Sequence, residues 1–126
     1  MKAILSPSHR ALLAAIRQAV EADGWFEGWM DPAAGGPSLV LEGFDSAPWA
    51  SLTFAGCQHR LALRLNGPVD AVERAWDRLE ALFVAGDLPL AGHFLADFSI
   101  GEKEGEIDPD GNMALRIDLE ALTIEA

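Results

Sequence analysis

Gln58-His59-Arg60-Leu61-Ala62-Leu63-Arg64-Leu65-Asn66-Gly67-Pro68, running on into Val69-Asp70-Ala71-Val72, is the stretch on which the fold turns. Leu61, Leu63 and Leu65 point one way and Arg60, Ala62 and Arg64 the other, which is the period of a strand with one buried and one wet face. Asn66-Gly67-Pro68 ends that strand and opens a helix in which Val69, Val72, Trp76, Leu79, Leu82 and Phe83 recur at three- and four-residue spacing. Asp70 and Glu73 fall in its first turn, where the helix dipole favours acids, and Gly86 predicts its end.

Working back from this unit, Ser6-Pro7 reads as a capped helix start, and Leu12, Leu13, Ile16, Ala19 and Val20 follow at helical spacing until Gly24. A loop is predicted from Trp25 to Pro37. Ser38 to Phe44 reads as a strand with Leu39 and Leu41 on one face and Val40, Glu42 and Phe44 on the other. Asp45 to Pro48 has turn composition, and Trp49 to Phe54 reads as the start of the next strand.

Working forward, Phe94, Ala96, Phe98 and Ile100 alternate with Leu95, Asp97 and Ser99. In the last strand Met113, Leu115, Ile117 and Leu119 alternate with Ala114, Arg116, Asp118 and Glu120. Near Ala121 the apolar phase flips to Leu122 and Ile124, as a bulge, core packing or an edge meeting another subunit would each produce. The expected order is α-β-β-α-β-β. The expected fold class is α+β: two helices on one face of a four-stranded, mainly antiparallel sheet, in a single domain over residues 1–126.

Composition narrows the function. Half of the 126 residues are hydrophobic, enough for a real core, and the 20 acidic against 9 basic residues leave a formal net charge of -11. That balance opposes direct binding of nucleic-acid phosphates or of an anionic membrane surface. Gly86 to Ala126 carries ten acids against Lys103 and Arg116, a net of -8, so the acid is concentrated in the last third. Cys57 is the lone cysteine, which excludes a disulfide framework and a thiolate metal cluster. No apolar run approaches membrane-spanning length and Met1 to Arg10 lacks signal-peptide character, so the chain reads as cytoplasmic.

No constellation marks out a catalytic, cofactor-binding or metal site. Asp108-Pro109-Asp110-Gly111-Asn112 has the flavour of a calcium loop, but that register puts Ile117 where a bidentate Glu is required; a Pro-Asp-Gly hairpin turn explains the same residues. Cys57 and His59 share a strand face with Leu61, Leu63 and Leu65, so burial of both is expected rather than a nucleophile–base pair. His9, His59 and His93 show no ligand spacing. Trp25, Phe26 and Trp29 form either a contact patch or a cluster packed under the first helix.

From Pro37 to Ala126 the chain resembles the tail-completion (tail-terminator or head–tail joining) proteins of siphophages, prophages and gene transfer agents. The resemblance lies in Pro37-Ser38-Leu39-Val40-Leu41-Glu42-Gly43, His59-Arg60-Leu61-Ala62-Leu63-Arg64-Leu65, the Trp76 helix, Leu88-Pro89-Leu90-Ala91-Gly92-His93-Phe94-Leu95, and Asp108-Pro109-Asp110-Gly111 before Leu119-Glu120-Ala121-Leu122-Thr123. It departs at Ser38, where an aromatic is expected, and at Leu65-Asn66, where a Trp-Ser pair often stands. The resemblance implies a non-enzymatic structural protein that self-assembles into a ring, often six-fold, caps the tail tube and docks onto the head connector. It implies tail-tube and head-connector proteins as partners, assembly in the cytoplasm and residence in a virion or phage-like particle. An acidic lumen wall would then let DNA pass without sticking. The alternative is a small cytoplasmic ferredoxin-like domain with a ligand-binding or regulatory role.

Overall fold

The computed structural model describes residues 7–31, 33, 35–85, 90 and 92–125. Its elements run α1 (Pro7–Ala22), a 3-10 turn (Gly24–Phe26), β1 (Ser38–Ala50), β2 (Ala55–Pro68), α2 (Val69–Ala85), β3 (His93–Ile107) and β4 (Asn112–Glu125). The four strands form one sheet in the order β1-β2-β4-β3, and every neighbouring pair is antiparallel. The protein is therefore α+β. Because β2 and β3 each run antiparallel to β4, they are parallel to one another, with α2 joining them and β4 inserted between.

The alternation in β2 does what its period implies. Leu61, Leu63 and Leu65 are buried and lie opposite Leu119, Ile117 and Leu115 of β4, which are buried too. Val72, Ala75, Trp76, Leu79 and Phe83 of α2 and Leu12, Ala15, Ile16 and Val20 of α1 join them in one core cluster. Most of the stripe positions read from spacing are buried; Ala15 and Ala75 join them, while Leu13, Ala19, Val69 and Leu82 are only partly covered. Pro7 opens α1, as expected of a residue whose missing N–H costs nothing in a first turn; Ser6 and Gly86 lie outside the described residues. After α1, the Asp23 side chain accepts from Trp25 N–H at 3.1 Å and starts the 3-10 turn, so the expected loop is partly ordered by its own cap.

Four expectations are corrected. Asp45 to Pro48 is not a turn: β1 continues through it, with Asp45 opposite Arg60 and Pro48 opposite Cys57. A proline survives there because β1 is an edge strand, where one row of N–H groups has no partner strand. Trp49 and Ala50 accordingly end β1, and the connection to β2 is Ser51 to Phe54, closed by Ser51 N–H donating to the Phe54 carbonyl at 2.8 Å. Third, β1 shifts register between Leu41 and Gly43, so Glu42 is the extra residue and Phe44 rotates onto the core side with Leu39 and Leu41.

The fourth correction concerns bulges in the second half. β4 itself has no bulge near Ala121, since its pairing with β2 runs unbroken from Gly56–Ile124 to Pro68–Asn112. Of the three origins expected for the flipped phase, packing fits, because Ile124 is buried on the second face. Ala121 and Thr123 continue the buried row, while Leu122 and Ile124 lie on the other face, where Ile124 sits opposite Gly56 and Phe94. The shifts lie in β3 instead, at Ala96 and again between Ile100 and Lys103. The first reverses the predicted faces at the strand's start: Leu95, Phe98 and Ile100 pack on the core and Phe94 is exposed.

Candidate functional site

The sheet's core side is apolar except toward one end, where His59 and Thr123 are buried in neighbouring rows. Ser46, His59, Ala121 and Phe98 lie side by side across the four strands, and His59 is fully buried among them. His59 Nδ1 lies 2.6 Å from Ser46 Oγ, and its Nε2 lies 2.8 Å from Thr123 Oγ1. Ser46 Oγ is also 3.2 Å from Nδ1 of His9, a buried residue of α1 whose ring stacks on Phe44 at 3.6 Å between centroids. Two proton arrangements satisfy this chain, because each hydroxyl can donate to one neighbour and accept from another. Four elements are thereby tied together: α1, β1, β2 and β4.

Burial sets the chemistry of the cluster. Loss of water around the imidazole pushes the His59 pKa down to about 4, and the neighbouring His9 and His93 push in the same direction. Burial lowers the His9 pKa as well. Ser46 and His59 have the spacing of a nucleophile and its base, but burial lowers the proton affinity of the imidazole and works against that role. The arrangement works as a bridge that satisfies buried polar groups. Cys57, predicted to be buried beside His59, is only half-buried. Among the described residues, no group of three or more His, Cys, Asp or Glu is placed to hold a metal ion.

The aromatic segment after α1 resolves to packing. Phe26 and Trp29 are buried, and Trp25 is half-buried against both. Arg78 of α2 lies 5.3 Å from the Trp25 ring centroid and pairs with Asp23 at 3.1 Å, which fastens the segment to the second helix. The Asp108–Asn112 segment is a hairpin turn: Gly111 has φ 83°, its N–H donates to the Asp108 carbonyl, and the Asp108 carboxylate accepts from Asp110 and Asn112 N–H. His93 starts β3 opposite Glu125.

What remains exposed falls into distinct surfaces. The β1–β2 hairpin is uncharged from Ser46 to Gln58 and presents Leu52 and Phe54 to solvent. Phe94, also exposed, lies in the same cross-strand row as Trp49 and Ile124. The β3–β4 hairpin carries Glu102, Glu104, Glu106, Asp108 and Asp110, all exposed, so much of the acid counted in the last third is gathered on one arm. The remaining sheet face is a charged ladder in which Glu42 reaches Arg64 at 2.5 Å and Arg116 at 3.6 Å, and Arg60 meets Glu120 at 3.3 Å. None of the described helices is long and apolar enough to cross a membrane.

A known particle contains this architecture. The fold is similar to that of a chain in the virion of a native gene transfer agent particle. The two share 18% sequence identity, with a TM-score of 0.74 over 93% of this chain and 97% of that one. No family model and no curated protein matches the chain. At that identity, what is shared is the fold.

The spacing of His9, Ser46, His59 and Thr123 gave no sign of the polar cluster. Ser46 was hidden by the turn composition around it, and the signal for a longer strand was the apolar Trp49 beyond Pro48.

Proposed function

We propose that this protein is a structural component of a phage-like particle, formed by a single domain over residues 1–126. It caps the tail tube and joins it to the head connector by assembling into a ring. The supporting observation is the likeness of fold, over 93% of the chain, to a chain of a gene transfer agent virion. With both helices on one side of the sheet, the other side, both edge strands and the two hairpins are left for contacts. The uncharged β1–β2 hairpin suits an apolar contact with a neighbouring tail or neck protein, because exposed apolar groups gathered in one place mark interaction surfaces. Assembly takes place in the cytoplasm, and the product resides in the particle.

Electron microscopy of the concentrated protein, alone and mixed with purified tail tubes, tests this reading. Rings, or protein bound at one end of the tubes, are the expected outcome. A protein that neither self-associates nor binds tube ends would overturn it.

A further inference from the structure

We propose that the groove between α1 and the β1 edge receives the β3–β4 hairpin of a second copy of this chain; the inference rests on the self-assembly reading above. The groove measures about 550 Å³ and has an apolar lining of Leu13, Ala14, Leu41 and Phe44. Arg10 and Arg17, both exposed, stand on it. Glu42 also lines it, but that carboxylate is engaged by Arg64 and Arg116.

Charge identifies the occupant. The chain has no acid before Glu21, whereas Lys2, Arg10 and Arg17 fall in the same stretch. The β3–β4 hairpin is the reverse, with five acids around Lys103 and the exposed Ile107 close to its turn. Two copies with a net charge of -11 repel each other in most orientations. Bringing one copy's hairpin to the other's arginines replaces repulsion with attraction, and Ile107 gains an apolar floor to cover. Exposed ion pairs contribute register and encounter rate more than affinity, so the apolar contact is needed as well.

The topology sets what this contact builds. Groove and hairpin belong to opposite edges of the sheet, β1 and β3. Such a contact joins unlike surfaces, head to tail, and repeats until it closes into a ring or extends as a filament. The hairpin acids are then used between subunits, a different role from the acidic lumen wall.

Two charge-reversed proteins test the proposal by sedimentation velocity at low and high salt. Arg10→Glu/Arg17→Glu alters the groove, and Glu106→Lys/Asp110→Lys alters the hairpin. All four side chains are exposed, so unchanged circular dichroism is expected of both. Each variant alone should self-associate at least about tenfold more weakly than the wild type, a change of about 1.4 kcal/mol. An equimolar mixture of the two should associate again, because the acidic hairpin of the groove variant then meets the intact arginines of the hairpin variant. Wild-type assembly should weaken with added salt. If the wild type assembles and the reversals leave its association unchanged, the groove–hairpin contact is overturned while self-assembly stands. A wild type that remains monomeric at every concentration, with and without tail tubes, overturns both.

Discussion

The two β-hairpins of this sheet are built from opposite materials. The β1–β2 hairpin is uncharged from Ser46 to Gln58, ends in the exposed Leu52 and Phe54, and is rooted in the buried His59 and Thr123, with the exposed Ser46 bonded to His59. The β3–β4 hairpin is acidic and exposed from Gly101 to Asn112, and its turn is shaped by the Asp108 carboxylate and the positive φ of Gly111. It meets α2 where the Gly111 carbonyl accepts from Val69 N–H at 3.2 Å and where Lys103 lies 5.4 Å from the Trp76 ring centroid. The first is held mainly by buried side chains from several elements, and the second mainly by its own turn with two contacts at its surface. Substitutions at the base of the β1–β2 hairpin should therefore act on the whole fold, and those in the β3–β4 hairpin mainly on the hairpin.

The largest effect is expected at His59. His59→Ala removes a fully buried ring and both of its hydroxyl partners, so a loss of about 3 kcal/mol in denaturant unfolding is expected. An unchanged midpoint would show that the β1–β2 hairpin is not anchored by this cluster.

Acid should act through the same residue. Unfolding returns the imidazole to its ordinary pKa near 6.5, against about 4 in the folded protein. Between these values the unfolded chain binds more protons, so stability is greatest above pH 6.5 and falls as pH drops toward 4. His59 alone accounts for about 3 kcal/mol of that fall, and His59→Gln should flatten it. A wild-type stability that holds level from pH 6.5 to 4 would contradict the assignment.

A pair of glycines sharpens the contrast. A Cβ at Gly56, in the β1–β2 hairpin, would run into the Thr123 carbonyl oxygen, a backbone atom held by the sheet. A Cβ at Gly105, in the β3–β4 hairpin, would meet the end of the flexible Met113 side chain at 2.5 Å. Gly56→Ala should cost about 2 kcal/mol and Gly105→Ala less than about 1 kcal/mol, compared by thermal or chemical unfolding. Equal costs would remove the distinction between the two arms.

The smallest effect is expected at Asp108. Asp108→Ala forfeits two hydrogen bonds, to Asp110 and Asn112 N–H at 2.9 and 3.0 Å, in an exposed turn. It should cost about 1 kcal/mol and speed amide exchange at residues 110 and 112 without reaching the core. Faster exchange spreading to Leu115–Leu119 would show that the arm is coupled to the core after all.

Legibility followed the same division. The stripes of α1 and α2, the Leu61-Leu63-Leu65 alternation and the Pro109-Asp110-Gly111 turn could be read directly, because each rests on interactions within a few residues. The faces of Phe44, Phe94 and Leu95 could not be read, since each depends on a bulge, and a bulge is a mismatch between two strands. The Asp45–Pro48 segment looked like a turn because its composition is that of one; its position at an edge overrode that preference.

Sequence by itself determined the kinds of element, the buried stripes, the acidic excess of the last third and the position of one tight turn. Only the tertiary structure decided that His9, Ser46, His59 and Thr123 meet, because residues from α1, β1, β2 and β4 become neighbours only when the sheet and first helix close on one core. It also placed the arginines of α1 beside one sheet edge and the acidic hairpin at the other, a separation that depends on the strand order β1-β2-β4-β3. Periodicity shows which side of each strand is buried, but the order in which strands lie together comes from packing over distances that no local pattern spans.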